Sequence, residues 1–249
     1  MTGGAGGIGS LAAQELRSAG AEVVIVDRAS PADEKSHFLK GDLSTLDGIA
    51  VVAEALKRLN PDILINLAGA QYFGPFEAQR ADHTLMTYTV NLVAPAILSQ
   101  TVLPLMKQRG EGQIVNIGSI LGSINYPYFT TYSSAKAGLR GLSEALRREV
   151  SGTGISITYV APRAVKTGMN TPEVLRFAEI TKMNLDDPKT AARRIVAAIR
   201  SRKKEVFIGF SERFFVSVNA LLPRFVDVAL SGDIRKARPL FKTEVTGKI

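Results

Sequence analysis

The chain has 249 residues and a formal net charge of +8, with 45% apolar and 22% charged residues. That length suits one large α/β domain, and the composition is ordinary for a soluble globular protein. The absence of cysteine excludes disulfides and cysteine-based metal sites and makes a reducing cytoplasm the expected setting; no signal-peptide pattern opens the chain, and no apolar run approaches the ~20 residues of a membrane span.

The first feature in chain order is the run Thr2-Gly3-Gly4-Ala5-Gly6-Gly7-Ile8-Gly9, leading into a helix predicted over Gly7 to Ala19. A pyrophosphate needs bare backbone N–H groups at a helix N-terminus with no side chain in the way, and glycine provides both. A glycine run alone is weak evidence. Here a buried strand, Glu22 to Asp27, follows and ends in a carboxylate about 20 residues downstream, as a dinucleotide fingerprint asks. Asp27 is placed to accept hydrogen bonds from ribose hydroxyls and to repel a 2′-phosphate, which favours NAD. Arg28 beside it keeps NADP open, because a guanidinium grips phosphate.

Further helices are predicted over Leu46 to Leu59, around Asp82 to Arg109, over Thr131 to Val150 and over Pro188 to Arg202. Between them run strands Asp62 to Asn66, Gln113 to Gly118, Ile155 to Val160 and Glu205 to Gly209. These strands are apolar on both sides, which suits a parallel sheet covered on both faces. Strand–helix alternation on this scale predicts a three-layer α/β fold of the doubly wound Rossmann type, with ligands at the strand C-terminal ends. Residues 1–249 are read as one nucleotide-binding domain, and 210–249 as its apolar and basic extension.

Residues 132 to 136 read Tyr-Ser-Ser-Ala-Lys inside a predicted helix. A spacing of four puts Tyr132 and Lys136 on one face, a turn apart. A free phenol has a pKa near 10, too high for efficient proton exchange at neutral pH, and a neighbouring ammonium lowers it. Ser119 follows the strand Gln113 to Gly118, where its hydroxyl can orient a substrate oxygen. Plain alternatives are an accidental pair on an exposed helix and a turn serine. The strand-end location favours a site.

Met169 to Met183 carries Met169, Leu175, Phe177, Ile180 and Met183, the content of an apolar pocket or of ordinary helix packing. Beyond the last strand, Phe214 to Leu230 is apolar around most of its circumference, with a kink expected at Pro223. Arg235, Lys236, Arg238, Lys242 and Lys248 follow, and Lys189 to Ile249 holds fourteen Lys/Arg against five Asp/Glu. Such a segment covers a substrate mouth, forms a homo-oligomer contact (dimer or tetramer) or lies on an anionic membrane. Packing and oligomer contact are the favoured options. No nucleic-acid motif accompanies the charge.

Together these residues resemble the short-chain dehydrogenase/reductase family, in its shorter single-domain branch, from about Thr2 to Gly209. The opening is similar to that family's T-G-x-x-x-G-x-G loop at Thr2, Gly3, Gly7 and Gly9, with Ile8 inside it. Asp42 and Leu43 resemble its adenine-contacting pair. Asn66, Ala68 and Gly69 resemble its N-[N]-A-G stretch, with Leu67 in place of the second asparagine. Asn91 resembles the helix asparagine that anchors a water leading to the lysine, and Ser119, Tyr132 and Lys136 match the catalytic trio. Val165 and Thr167 fit the segment that meets the nicotinamide amide.

The resemblance implies an NAD(P)-dependent oxidoreductase with no metal, acting on a carbonyl or secondary alcohol; the apolar content of Met169 to Met183 points to an apolar small molecule, and the membrane option for the C-terminal segment to a lipid-like one. It implies that Tyr132 exchanges the proton, Ser119 holds the substrate oxygen, and Lys136 lowers the tyrosine pKa and binds the nicotinamide ribose. Two features depart from the family. Pro162-Arg163 stands where Pro-Gly is usual, so the arginine alters a turn or binds an anionic group. The apolar first strand is missing, with only Met1 ahead of the loop; a misassigned start or a truncated chain is expected, with unpaired backbone on the two neighbouring strands. An NADPH-dependent ketoacyl-type reductase is the near alternative, and a non-catalytic nucleotide sensor or scaffold the distant one.

Overall fold

The Val- and Ile-rich runs assemble into a parallel sheet with helices on both faces. A computed structural model describes residues 1–32 and 37–241. Helix α1 (Gly7–Ser18) leads to strand β1 (Val24–Asp27); β2 (His37–Lys40), α2 (Leu46–Leu59) and β3 (Ile63–Asn66) follow. A helical rod made of α3 (Ala81–Tyr88), a π-helical turn (Thr89–Val93) and α4 (Ala94–Arg109) precedes β4 (Gly112–Ile117). Then come α5 (Leu121–Ile124), α6 (Thr130–Glu149), β5 (Ile155–Ala161), α7 (Pro172–Ile180) and α8 (Pro188–Arg200). Strand β6 (Glu205–Phe207) is followed by α9 (Phe210–Leu221) and α10 (Pro223–Ala237). Lys242 and Lys248 of the basic tail lie outside the described residues.

Strand β1 pairs with β2, and β3, β4, β5 and β6 pair in that order, all in parallel. Thr2 joins the two groups through one bridge to Val26 and another to Asn66. The expected first strand is thus reduced to a stub at the centre of the sheet. The stub partly corrects the expectation of unpaired neighbours. The Val26 N–H donates to the Met1 carbonyl at 2.8 Å, the Thr2 N–H to Ile65 at 2.9 Å and the Gly3 N–H to Val26 at 2.9 Å. This pairing secures the C-terminal ends of β1 and β3, the ends that matter for a site.

Alternate residues feed two cores, as a strand's period of two requires. Val26, Leu64 and Ile114 face α2 and α4, against Ile49, Val52, Leu98 and Met106. Ile25, Ile65 and Val115 face α1 and α8, against Ala13, Leu16, Ile195 and Ile199. Side-chain caps start two of these helices: Thr45 accepts from the Gly48 N–H and Asp187 from the Thr190 N–H. The rod from Ala81 to Arg109 is long and apolar enough to cross a membrane by composition, yet Leu98, Val102 and Met106 are fully buried in the core.

Strand β2 has no counterpart in the sequence reading. Its residues, His-Phe-Leu-Lys, are mostly exposed at the sheet edge, so burial imposes no apolar pattern there. At the expected kink the chain breaks instead of bending: α9 stops at Leu221 and Pro223 opens α10, where its missing N–H costs nothing.

Candidate active site

The strand C-terminal ends open onto a cleft of about 640 Å³, a usual size for a small-molecule site. At one end the glycine loop turns into α1. Gly3 has φ +69°, and a Cβ there would lie 2.6 Å from Ala68 Cα; a Cβ on Gly9 would lie 2.0 Å from the Gly3 carbonyl oxygen. Gly3 allows the loop to pack against the chain beyond β3, and Gly9 allows α1 to close onto the loop. Gly6, by contrast, has open space where a Cβ would sit. No side chain caps α1, leaving its positive end to the cleft.

Asp27 ends β1 at the cleft and holds the loop: its carboxylate accepts from the Ala5 N–H at 3.0 Å and from the Arg28 N–H at 2.7 Å. Asp42 accepts from the Ser44 N–H and hydroxyl, which keeps its carboxyl below the usual range. Gly3, Gly7, Ile8, Asp27, Arg28, Asp42, Leu43, Ala68, Gly69, Val165 and Thr167 all line the cleft, as do Ser119, Tyr132 and Lys136.

The structure corrects the expected roles of Thr2 and Asn66, which stand behind the cleft wall. The Thr2 hydroxyl accepts from the Leu67 and Ala68 N–H groups. Asn66 is buried and donates to Asn116 at 2.8 Å, and Asn116 donates to Ser143 of α6 at 2.9 Å. This chain of amides ties β3 and β4 to the helix that carries Tyr132. Strand position alone does not tell which face an asparagine takes.

Ser119 follows β4, where its hydroxyl accepts from the Leu121 N–H at 3.1 Å. Gly118 must be glycine, because a Cβ there would lie 2.1 Å from the Tyr159 hydroxyl. Tyr132 and Lys136 lie one turn apart on α6. The Lys136 ammonium donates to the Ile117 carbonyl at 2.9 Å and sits 5.8 Å from the Tyr132 ring centre. Burial lowers the Lys136 pKa to about 8. Burial holds the Tyr132 phenol above its usual range, and the opposing contribution is a hydrogen bond with Ser119.

Asn91 sits in the π-helical turn, whose extra residue per turn breaks the regular helix. Its amide donates to the Ala70 carbonyl at 2.6 Å and to Thr87 at 2.8 Å. Its Oδ1 is buried without a partner and lies 3.1 Å from where a Cβ on Gly69 would sit, with Lys136 Nζ 3.8 Å from that point. A loop that excludes side chains, an uncapped helix end and an orphaned acceptor beside a lysine form a set of residues that fits a dinucleotide.

Residues 1–176 match the family described as short chain dehydrogenase. The chain belongs to that family. It is 30% identical over 247 residues to the ketoacyl reductase HetN of Nostoc sp., an alignment spanning 91% of this chain and 85% of that protein. Among solved structures, a short-chain dehydrogenase from Streptomyces avermitilis superposes with a TM-score of 0.77 at 26% identity, covering 96% of this chain and 97% of that one. A 4-hydroxyisoleucine dehydrogenase complexed with NADH gives 0.74 at 25% identity, over 83% and 94%.

Within this short-chain dehydrogenase, Arg163 does more than alter a turn. Its guanidinium meets Asp186 at 2.5 Å and Glu212 at 3.2 Å, linking the segment after β5 to the approach to α8 and to α9. The anionic groups it binds belong to the chain itself. The apolar end of the cleft comes from Phe129, Met169, Val174 and Met183. Leu175, expected inside, is exposed; Val174, Phe177 and Ala178 form the buried face of α7. Phe73, Tyr126, Tyr128 and Leu240 pack on that cluster. Phe129 and Val174 were legible as apolar residues, but only the fold brings them to one wall.

Proposed function

We propose that this protein is an NAD(P)-dependent oxidoreductase that interconverts a ketone and a secondary alcohol on a small apolar molecule, with Tyr132 as the acid/base. The observation that carries it is the joint placement of Ser119, Tyr132 and Lys136 beside an uncapped helix end in one cleft. When bound, the nicotinamide supplies the hydride. The chain's own residues do the rest. Ser119 offers its hydroxyl to the substrate oxygen. A phenol held above its usual range is protonated at neutral pH, the form that donates to a carbonyl. Lys136, with a pKa near neutrality for a lysine, holds a proton at Nζ, and Asn91 Oδ1 presents an acceptor toward the same space. The Phe129, Met169 and Val174 wall favours apolar substituents.

Asp27 supports NAD as the preferred dinucleotide, because a carboxylate at a strand end repels a 2′-phosphate. A second reading, an NADPH-dependent ketoacyl-type reductase, has two supports: Arg28 lines the cleft beside Asp27, and the Nostoc relative is a ketoacyl reductase. The protein is proposed to act as a single domain, cytoplasmic, in a homo-oligomer. The test compares the wild-type chain with Tyr132→Phe on a panel of ketones and secondary alcohols, with each dinucleotide. Turnover is expected to fall by about 10² to 10⁴, the range of general acid–base catalysis, with dinucleotide affinity kept. Binding without turnover across the panel would instead favour a sensor.

A further inference from the structure

Helices α9 and α10 are fixed by one face each. On α9, Val216 is buried against Ile120 and Tyr159, and Asn219 donates to the Ser123 carbonyl at 2.8 Å. On α10, Val226 and Ala237 are buried, and Asp233 accepts from the Tyr126 hydroxyl at 3.2 Å. The outer faces are apolar and open. Phe214, Leu221, Phe225 and Val228 are 66%, 80%, 66% and 73% exposed, far more than an apolar side chain tolerates when its helix has a partner. Their spacing keeps them on one side of each helix. The Phe225 N–H closes the connection onto the Leu222 carbonyl at 3.0 Å, which gathers Leu221, Leu222 and Phe225 at the tip of the hairpin.

The surroundings of this tip are cationic. Arg213 precedes it on α9 and Arg224 stands within it between Leu222 and Phe225, both exposed, with Asp227 an exposed acid just beyond on α10. Beside α9 lies a second cavity of about 480 Å³ lined by Arg140, Lys203, Arg213 and Glu205. Its one carboxylate is engaged by Arg140 at 2.7 Å, which leaves a positive surplus.

We propose that the α9–α10 tip inserts into the surface of an anionic lipid bilayer, with the Arg140–Lys203–Arg213 cavity receiving lipid phosphates. An apolar wedge beside a cationic cavity complements an acyl layer under a negative headgroup layer. A second copy of this chain is the poorer occupant. A dimer through this face would bring Arg213 and Arg224 of both copies into one apolar interface, whose core is normally depleted of charge.

The proposal does not depend on Tyr132 chemistry, and its test needs no turnover. Vesicle flotation of the full chain uses phosphatidylcholine vesicles with and without phosphatidylserine. Binding is expected only with phosphatidylserine and is expected to weaken as salt rises. The combined Phe214→Ser, Leu221→Ser and Phe225→Ser variant is expected to weaken it on the order of 100-fold. Lys203→Gln and Arg213→Gln are each expected to weaken it about fivefold. Both sets should keep the wild-type melting temperature. Equal binding to both vesicle types, an unchanged serine variant, or a dimer that the serine variant dissociates would overturn the proposal.

Discussion

At the residue scale, burial is the main influence on the site's two proton carriers, and it drives apart two groups whose ordinary values lie close together. Tyr132 is raised and Lys136 is lowered to about 8. For Lys136 the unfolded chain binds its proton up to a pKa of 10.5 while the folded chain releases it near 8. The unfolded state therefore holds more protons between those values, and stability rises with pH across that window. Lys136→Met is expected to stabilise the protein at pH 7, by up to about 3 kcal/mol; the gap to wild type should narrow from pH 8 toward pH 10, as thermal melts at each pH would read. The Tyr132 contribution has the opposite sign and begins only near pH 10, outside most of that window. At the other end of the cleft, Asp27→Asn removes the charge that repels a 2′-phosphate. The ratio of NAD to NADP affinity, read by titrating each dinucleotide, is expected to fall at least about tenfold, the worth of ~1.4 kcal/mol. Gly118 carries a different constraint. Any larger residue there must displace the buried Tyr159 ring.

At the scale of elements, the arginine that replaces the family's glycine is an anchor. Arg163 holds two carboxylates that are themselves largely shielded from water. Arg163→Gly would take the guanidinium away from the nearly buried Asp186, and a cost of about 3 kcal/mol is expected from urea denaturation. The double variant with Asp186→Asn should recover part of that loss. Much at this scale was legible in advance. The buried strands and the amphipathic helices declared themselves because burial on a fixed period leaves a pattern in the chain. The pieces that escaped are those on which burial imposes none: the exposed edge strand β2, and the π-helical turn, which depends on one inserted residue rather than on composition. The direction of Asn66 was equally hidden. A strand end does not reveal whether a side chain joins the cleft or, as here, a chain of amides behind it.

At the scale of the molecule, the glycine loop sits where Thr2 couples β1 to β3, so a dinucleotide bound there touches both halves of the sheet. Saturation at 100 times the dissociation constant is expected to stabilise the fold by about 2.7 kcal/mol, seen as a rise in melting temperature that depends on nucleotide concentration. The layered architecture followed from the alternation of runs; the stub that completes the central strand did not, because two residues carry no periodicity. The apolar wall has an optical consequence. The chain has six tyrosines and no tryptophan, and Tyr126, Tyr128 and Tyr132 all pack on the Phe129–Phe177 cluster at one end of the cleft. Ultraviolet emission from the native protein therefore comes from phenols alone, half of them gathered at the place where substrate is expected to sit. Quenching of that emission would report occupancy of the cleft with no dye, label or engineered probe.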